Sequence, residues 1–327
     1  MRWQGKKVLV TGAGGFIGSH LAEKLTEQGA DVRAMIHYNG SGTWGWLDQS
    51  DLANEMEIYL GNIADPESVR RAMEGIDTAF HLAALIAIPY SYHAPRSYLR
   101  TNVEGTMNLL QAARDLGTRR VVHTSTSEVY GTARRVPIDE DHPLQGQSPY
   151  SASKIAADKV AESYYCAFET PVVTVRPFNT YGPRQSARAV IPTIISQALD
   201  GKVVKLGSLS PTRDLTLVED TVMGFLKAGV AEGCEGRTIN LGTGREISIG
   251  DLRDLIGKLM GLELTSETDR QRVRPPASEV ERLLSDNRLA KELIDWEPQV
   301  SLEDGLKKTI SWIEANRDRF RRDTYAI

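Results

Sequence analysis

Residues 11–18 read Thr11-Gly12-Ala13-Gly14-Gly15-Phe16-Ile17-Gly18, and this stretch decides the fold. It follows a short apolar run at 7–10, which is typical of a buried parallel strand, and it leads into apolar residues at helical spacing over 17–28. Glycines at positions 12, 15 and 18 permit a tight turn, close approach of the backbone to a phosphate, and close packing of the helix on the strand. The stretch therefore predicts a strand, a turn and a helix whose amino terminus faces the pyrophosphate of a dinucleotide.

Strands and helices alternate beyond this first unit. Apolar runs predict further strands at 32–36, 57–60, 78–82, 120–124 and 172–175. Helices are predicted after the Asp65-Pro66 start signal, over 95–116, and from Ser148 onward. This order requires right-handed crossovers, and it predicts an α/β fold: a doubly wound parallel sheet of the Rossmann type with helices on both faces.

The regular alternation of strands and helices ends after Pro177, where prolines and glycines separate shorter elements. We expect a dinucleotide-binding Rossmann domain over 1–178 and a smaller C-terminal substrate lobe over 179–327. A strand near 238–241 is expected to rejoin the sheet of the first domain.

Composition narrows the functional class. The chain has 327 residues, and its 39 basic and 43 acidic side chains are mixed along the sequence, so nothing predicts a nucleic-acid or membrane surface. Cys166 and Cys234 lack the paired spacing of a disulfide framework or a zinc site, so no bound metal is expected. No apolar run approaches the ~18 residues that a membrane span requires, and no signal-peptide core is present. We therefore expect a cytoplasmic protein.

The adenosine end of the dinucleotide site is less well defined. Asn62 and Ile63 follow the third strand, where they are placed to contact the adenine, although Asn62 also suits a plain turn. The second strand usually ends in an acid that binds the ribose hydroxyls, but residues 34–39 contain neither a carboxylate nor an arginine. His37 in that stretch suits either a 2′-phosphate or solvent. The sequence thus predicts an NAD(P) cofactor and leaves the choice between NAD and NADP open.

A second motif, Tyr150-Ser151-Ala152-Ser153-Lys154, places a phenol and an ammonium group on one helix face. The phenol of a tyrosine has a pKa of about 10, and a lysine one helical turn away is expected to lower that pKa. Tyr150 then takes the proton of an alcohol while hydride leaves the carbon, and Thr126 steadies the oxygen. Glu128 follows the fifth strand, where ligands bind in open sheets, so we expect an added base or acid. A structural carboxylate bonded to the backbone is the alternative for Glu128.

These motifs together resemble the extended short-chain dehydrogenase/reductase superfamily, and specifically its nucleotide-sugar branch. The resemblance runs nearly end to end through the motifs at 11–18, 81–84, 125–131, 150–154, 176–179, 213–214 and 218–220. It implies a tightly bound NAD(P)+ that is regenerated in each cycle. The implied cofactor contacts are Gly12, Gly15, Phe16, Ile17, Gly18, His37, Asn62, Ile63, Leu82, Ala83, Ala84, Tyr150, Lys154 and Pro177. The implied contacts with a nucleotide sugar are Ile86, Tyr92, Asn179, Arg188, Arg213 and Arg274.

Within that branch, residues 128–131 and 148–154 are similar to the 4,6-dehydratases. Residues 85–92, 123–131 and 181–192 are similar to the N-acetylglucosamine-nucleotide 4,6-dehydratases of legionaminic-acid biosynthesis. This resemblance implies conversion of UDP- or GDP-N-acetylglucosamine, a UDP- or GDP-linked hexosamine, into the 4-keto-6-deoxy sugar. In the implied cycle, Tyr150 and the nicotinamide oxidise C4, and Glu128 removes the acidified C5 proton. Water then leaves from C6, and hydride returns to C6.

One position departs from the dehydratase pattern. Better-known hexose dehydratases carry an aspartate before the glutamate, as the acid that protonates the departing hydroxyl, whereas Ser127 stands here. Either Glu128 serves both steps, or a water held by Ser127 relays the proton. The serine–glutamate pair also resembles the UDP-glucuronate decarboxylases, so decarboxylation and 4-epimerisation stay open as alternatives, as does a dinucleotide sensor without turnover.

The resemblance also implies a homodimer. The helices predicted over 95–116 and 148–168 are expected to pack with their copies as a four-helix interface.

Overall fold

The computed structural model describes residues 3–320. Its strands are β1 (Lys7–Thr11), β2 (Asp31–His37), β3 (Glu57–Gly61), β4 (Thr78–His81), β5 (Arg120–Thr124), β6 (Val172–Pro177), β7 (Asn179–Tyr181), β8 (Val203–Leu206), β9 (Thr212–Leu217), β10 (Thr238–Leu241), β11 (Glu246–Ser248) and β12 (Thr265–Thr268). Its α-helices are α1 (Phe16–Glu27), α2 (Pro66–Met73), α3 (Ile88–His93), α4 (Pro95–Tyr98), α5 (Gly105–Leu116), α6 (Pro149–Phe168), α7 (Val190–Ala198), α8 (Val218–Ala228), α9 (Ile249–Leu259), α10 (Arg288–Ile294) and α11 (Leu302–Ala315). A π-helical turn, Leu99–Glu104, joins α4 to α5.

Seven strands form the central sheet in the order β10-β6-β5-β4-β1-β2-β3. Every neighbouring pair in this sheet is parallel. The sheet and its flanking helices confirm the predicted doubly wound α/β fold. β10 lies beside β6, with Thr238 opposite Thr174, so the last strand arrives from far along the chain.

The two faces of the sheet bury different sets of apolar side chains, because successive residues of a strand point to opposite faces. Val8 and Val10 of β1 lie in one core cluster with residues of α1 and α8. Leu9 lies in the opposite cluster with residues of α2 and α5. Helices therefore cover both faces of the sheet, and its inner strands β4 and β6 are buried along their whole length.

A second lobe packs beyond the carboxyl edge of the sheet. It contains the small sheet β11-β9-β7 and the pair β12-β8. Helices α7, α9 and α11 enclose a separate apolar core with Ile194, Leu252 and Leu306 at its centre. This lobe has its own core because its helices have no access to the faces of the central sheet.

The second half of the chain contributes to both lobes. The predicted division at residue 178 assigns α8 and α10 to the substrate lobe. In the structure, Phe225 of α8 and Ala290 of α10 lie instead in the core cluster of β1 and α1. The chain returns to the first lobe at these two helices, because β10 has to be covered on that face of the sheet. The second lobe is therefore built from separate segments of the chain.

Helix α6 begins where the sequence predicts. The Ser148 side chain caps the helix by accepting a hydrogen bond from the backbone N–H of Ser151, and the Ser151 side chain in turn accepts one from the Ser148 N–H. Pro149 occupies the first helical position. This fixed start places Tyr150 and Lys154 in the first two turns. Among residues 3–320, none of the helices combines the length and apolarity needed to cross a bilayer.

Candidate active site

A cleft of about 900 Å³ lies at the carboxyl edge of the central sheet, between that edge and the second lobe. It gathers most of the site residues that the sequence predicts. Those that line it are Gly12, Gly15, Phe16, Ile17, Gly18, His37, Leu82, Ala83, Ala84, Ile86, Tyr92, Thr126, Ser127, Glu128, Tyr150, Lys154, Pro177, Asn179, Arg188, Arg213 and Arg274. Residues from distant parts of the chain thus meet in one cavity, at the position where open parallel sheets bind ligands.

The glycine turn forms one end of the cleft. Gly12 has φ +72°, and a Cβ there would lie 2.9 Å from the backbone nitrogen of Ala83. A Cβ on Gly18 would overlap the carbonyl oxygen of Gly12. Gly15 caps α1 without a side-chain hydrogen bond, so the amides of the first turn are left for an anion. This backbone cradle fits a dinucleotide pyrophosphate.

Two of the expected cofactor contacts lie outside the cleft lining. Asn62 is exposed, and its Oδ1 accepts from the backbone N–H of Ala64 at 3.0 Å, as in a plain turn. Ile63 is buried, and its side chain lies against Gly105. Their proposed contact with the adenine stays a prediction. His37 lines the cleft and is exposed, a position compatible with either ribose phosphate or solvent.

Tyr150 is buried in the cleft wall, 7% exposed. Burial raises the pKa of its phenol, a hydrogen bond with the Thr126 side chain opposes this rise, and the charge of Glu128 adds to it. The sequence predicts a lowered pKa for Tyr150, but in this structure the pKa is raised, because burial removes the solvation of the phenolate.

Lys154 is also buried, and its Nζ donates to the carbonyl oxygen of Thr124 at 2.5 Å. Burial lowers the pKa of its ammonium group to about 8, while the charge of Asp158 acts in the opposite direction. Lys154 therefore titrates within the range in which enzymes work.

Glu128 belongs to a group of four charged side chains at the far end of the cleft. Arg274 Nη1 lies 3.7 Å from Glu128 Oε2 and 3.7 Å from Glu279 Oε1. Arg213 Nη2 lies 3.3 Å from Glu279 Oε1. Burial lowers the pKa of Arg213, the charge of Glu128 opposes this, and the like charge of Arg274 adds to it. The carboxylate of Glu128 thus faces arginine side chains and the cleft.

The remaining predicted substrate residues surround this group. The Oδ1 of Asn179 is buried and has no hydrogen-bond partner within residues 3–320, so it can accept a hydrogen bond from a ligand. The hydroxyl of Tyr92 shares a hydrogen bond of 2.6 Å with Ser278. Ile86 is 55% exposed at the rim.

The sequence reasoning missed two acids of this region, Glu279 and Asp158. Glu279 follows the Arg274-Pro275 segment by a few residues, and nothing in the local pattern predicts that it turns back to pair with Arg213. Asp158 has a readable signal. It lies four residues after Lys154, which is the spacing that puts two side chains on one helix face.

The chain is similar in sequence and in structure to known proteins. A protein-family model described as GDP-mannose 4,6 dehydratase matches residues 9–309. A UDP-glucose 4-epimerase of Mycolicibacterium smegmatis is 36% identical over 313 residues, which cover 94% of this chain and 98% of the relative. A UDP-N-acetyl-alpha-D-glucosaminuronate decarboxylase of Bacillus cytotoxicus is 33% identical over 318 residues, which cover 94% and 97%. The structure of a dTDP-glucose 4,6-dehydratase of Streptomyces venezuelae, solved with NAD bound, has a TM-score of 0.87 at 30% identity and covers 96% of this chain and 99% of that one.

Proposed function

The chain belongs to the GDP-mannose 4,6-dehydratase family, whose members have the extended short-chain dehydrogenase/reductase fold and use NAD(P), and we propose that it is a nucleotide-sugar 4,6-dehydratase. The proposed substrate is UDP- or GDP-N-acetylglucosamine, and the product is the 4-keto-6-deoxy sugar. The choice of a hexosamine rests on the resemblance of residues 85–92 and 181–192 to the legionaminic-acid enzymes.

One observation supports this proposal most directly: the phenol of Tyr150 and the carboxylate of Glu128 line the same cleft. They are close enough for the charge of Glu128 to raise the pKa of Tyr150. A sugar ring between them would present C4 to the phenol and C5 to the carboxylate. A dehydrogenase or epimerase needs the phenol, whereas elimination also needs the second base.

Tyr150 and Lys154 serve the oxidation of C4. When bound, the nicotinamide supplies an acceptor for hydride from C4 and a donor of hydride to C6. Tyr150 takes the proton of the C4 hydroxyl, and Thr126, which hydrogen-bonds the phenol, orients it. Lys154 is fixed by its bond to Thr124 and stabilises the phenolate through its positive charge.

Glu128 serves the elimination. The ketone at C4 acidifies the C5 proton, which Glu128 removes, and the C6 hydroxyl leaves as water. The protons balance: O4 and C5 each release one, and the leaving hydroxyl and C5 each take one back. Ser127 is 2% exposed and lines the cleft beside Glu128. A hydroxyl group is a poor acid, so we assign the protonation of the leaving group to Glu128, with Ser127 orienting it.

Arg213 and Arg274 suit the diphosphate of the substrate. Their guanidinium groups are planar and always charged, and their forks match phosphate oxygens. Arg213 is 7% exposed, and burial lowers its pKa, so an arriving anion gains from a poorly solvated cation. Asn179 adds an acceptor for a donor group of the ligand.

Two alternatives within the family each have a specific observation in their favour. A 4-epimerase is supported by the 36% identity with the mycobacterial UDP-glucose 4-epimerase. A decarboxylase acting on a nucleotide-linked uronate is supported by the Ser127-Glu128 pair and by the 33% identical relative. Both reactions share the oxidation at C4, so they differ from the proposal only in the fate of the 4-keto intermediate. A dinucleotide sensor would have no use for the buried tyrosine–lysine pair.

Incubation of the enzyme with UDP- and GDP-N-acetylglucosamine separates these functions. We expect a product lighter by one water, with a methyl group at C6 and no net change in bound cofactor. A product of unchanged mass inverted at C4 would replace the proposal with an epimerase. Release of carbon dioxide from the corresponding uronate would replace it with a decarboxylase.

We further propose a homodimer formed through α5 and α6. The large apolar side chains of Met107 on α5 and Phe168 on α6 are 44% and 45% exposed, and an interface over these two helices would bury them. Light scattering at micromolar concentration should give twice the monomer mass, and a monomer mass would contradict this interface.

A further inference from the structure

A buried polar network lies behind the catalytic lysine. Asp158, on the same helix α6, is 4% exposed. Its Oδ2 accepts from Ser125 Oγ at 2.7 Å and from the Arg176 guanidinium at 2.9 and 3.2 Å. Its Oδ1 lies 3.1 Å from His123 Nε2. The carboxylate is therefore held rigidly by three side chains.

The lysine and this aspartate are held at adjacent points of the sheet. Lys154 bonds to the carbonyl oxygen of Thr124, and Asp158 accepts from the side chain of Ser125, the next residue. The two side chains also occupy one face of α6, because they are four residues apart. In a poorly solvated interior, opposite charges on the same helix face attract each other more strongly than they would in water.

We propose that Asp158 is a positioning residue that keeps Lys154 in its charged form beside Tyr150. The carboxylate stays ionised for this purpose. Burial disfavours its charge, but the hydrogen bond with His123 and the charge of Arg176 hold the pKa of Asp158 at about 2. The charge of Asp158 in turn opposes the loss of the Lys154 proton that burial causes, and this supports the assignment.

Other titratable groups lie around Lys154, Asp158 and Tyr150 on the surrounding elements, and none of them replaces the Asp158 carboxylate. They are His81 of β4, Tyr98 of α4, His123 of β5, Glu128 of the turn after β5, Tyr150 of α6 and Arg176 of β6. Burial lowers the pKa of both histidines, so they are neutral at pH 7. Burial raises the pKa of both tyrosines. Glu128 lines the cleft, and Arg176 is a cation paired with Asp158.

The proposal makes a signed prediction about pH. Lys154 loses its charge as the pH rises through about 8, and oxidation at C4 should weaken over the same range. Asp158→Asn removes the negative charge and keeps the shape, so Lys154 should lose its proton about one pH unit lower. The alkaline limb of the activity profile should move by the same amount.

The experiment is an NMR titration of the Lys154 side chain in the cofactor-free protein, with the pH profile of C4 oxidation in the holoenzyme as the second readout. The wild type should titrate near pH 8, and Asp158→Asn about one unit lower. Asp158→Glu should restore the wild-type midpoint. Tyr130→Phe removes a hydrogen bond to Arg176 without changing charge, so it should leave the midpoint in place. An unchanged midpoint in Asp158→Asn, or an equal shift in Tyr130→Phe, would overturn the proposal.

A second variant covers the case in which Asp158→Asn fails to fold. Arg176→Gln removes the cation that partly neutralises Asp158, so the Lys154 midpoint should move upward. A downward shift or no shift would refute the role of Asp158. This inference rests on the proposed use of Tyr150 and Lys154, but its failure is distinguishable. Midpoints that move as expected in a protein without dehydratase activity would leave the inference standing and reject the proposed function.

Discussion

The ion pair between Arg184 and Glu23 should couple the stability of the two lobes. Arg184 lies in the loop between β7 and α7, and it donates to both oxygens of Glu23 on α1, at 2.8 and 2.9 Å, and to Ser19 at 3.1 Å. The two charged side chains are 18% and 16% exposed. This loop also carries Gln185 and Arg188 into the cleft, so the pair joins the cofactor helix to the substrate side.

The burial and hydrogen bonds of the Arg184–Glu23 pair indicate how much unfolding free energy is lost when one partner is removed. Removing one partner of a fully buried ion pair costs about 3–5 kcal/mol, and exposed pairs contribute little. For a pair about one-fifth exposed with two hydrogen bonds, Arg184→Met should cost about 2 kcal/mol. Arg184 also has φ 71°, a left-handed conformation that costs a residue with a Cβ about 1 kcal/mol relative to glycine. Arg184→Gly should therefore cost about 1 kcal/mol less than Arg184→Met.

A double-mutant cycle of Arg184→Met and Glu23→Gln, followed by chemical denaturation, measures the interaction energy of the pair. We expect a coupling energy of about 1 kcal/mol or more, together with a higher KM for the nucleotide sugar. Burial raises the pKa of Glu23, but the hydrogen bonds from Arg184 and Ser50 and the charge of Arg184 together outweigh burial, so the pKa is lowered. The contribution is thus present at neutral pH, and it is lost as the pH falls below the ordinary value of 4.5. Additive single-variant losses, or a coupling energy that does not decline in acid, would refute this reasoning.

Two further predictions concern the cradle and the second base. Gly18→Ala should lose the bound dinucleotide and have a lower Tm, because its Cβ would overlap the carbonyl oxygen of Gly12. Gly201→Ala should keep the wild-type cofactor content and Tm, because the space around its Cβ is open. Equal cofactor content in the two purified variants would contradict the backbone cradle. Glu128→Gln should still oxidise C4 but eliminate water from the sugar about 100-fold more slowly. Glu279→Gln should mainly raise the KM for the nucleotide sugar. Wild-type turnover in Glu128→Gln would show that the Glu128 carboxylate is not the base.

The sequence was sufficient for features that depend on local pattern. The glycine turn, the alternation of strands and helices, and the cap at Ser148 each depend on neighbouring residues, and the structure has all of them. The gathering of distant motifs at one edge was also predictable, because the carboxyl ends of parallel strands share that edge.

Features that depend on contacts between distant segments were not predictable in this way. Glu279 meets Arg213 across 66 positions of the chain, and Arg184 meets Glu23 across 161. The packing of α8 and α10 against the first core has the same origin. The pKa of Tyr150 depends on how completely the fold removes water from the phenol, and a motif of five residues carries no record of that burial.

The central claim is that the ring carbon oxidised beside Tyr150 is two bonds from the carbon that loses water near Glu128. Deuterium placed at C4 of the N-acetylglucosamine nucleotide tests this in the unmodified enzyme. The account predicts that the deuterium appears at C6 of the product, within the methyl group, because the hydride taken from C4 returns there. Deuterium that stays at C4 of an inverted sugar, or that is lost to a released cofactor, would contradict it.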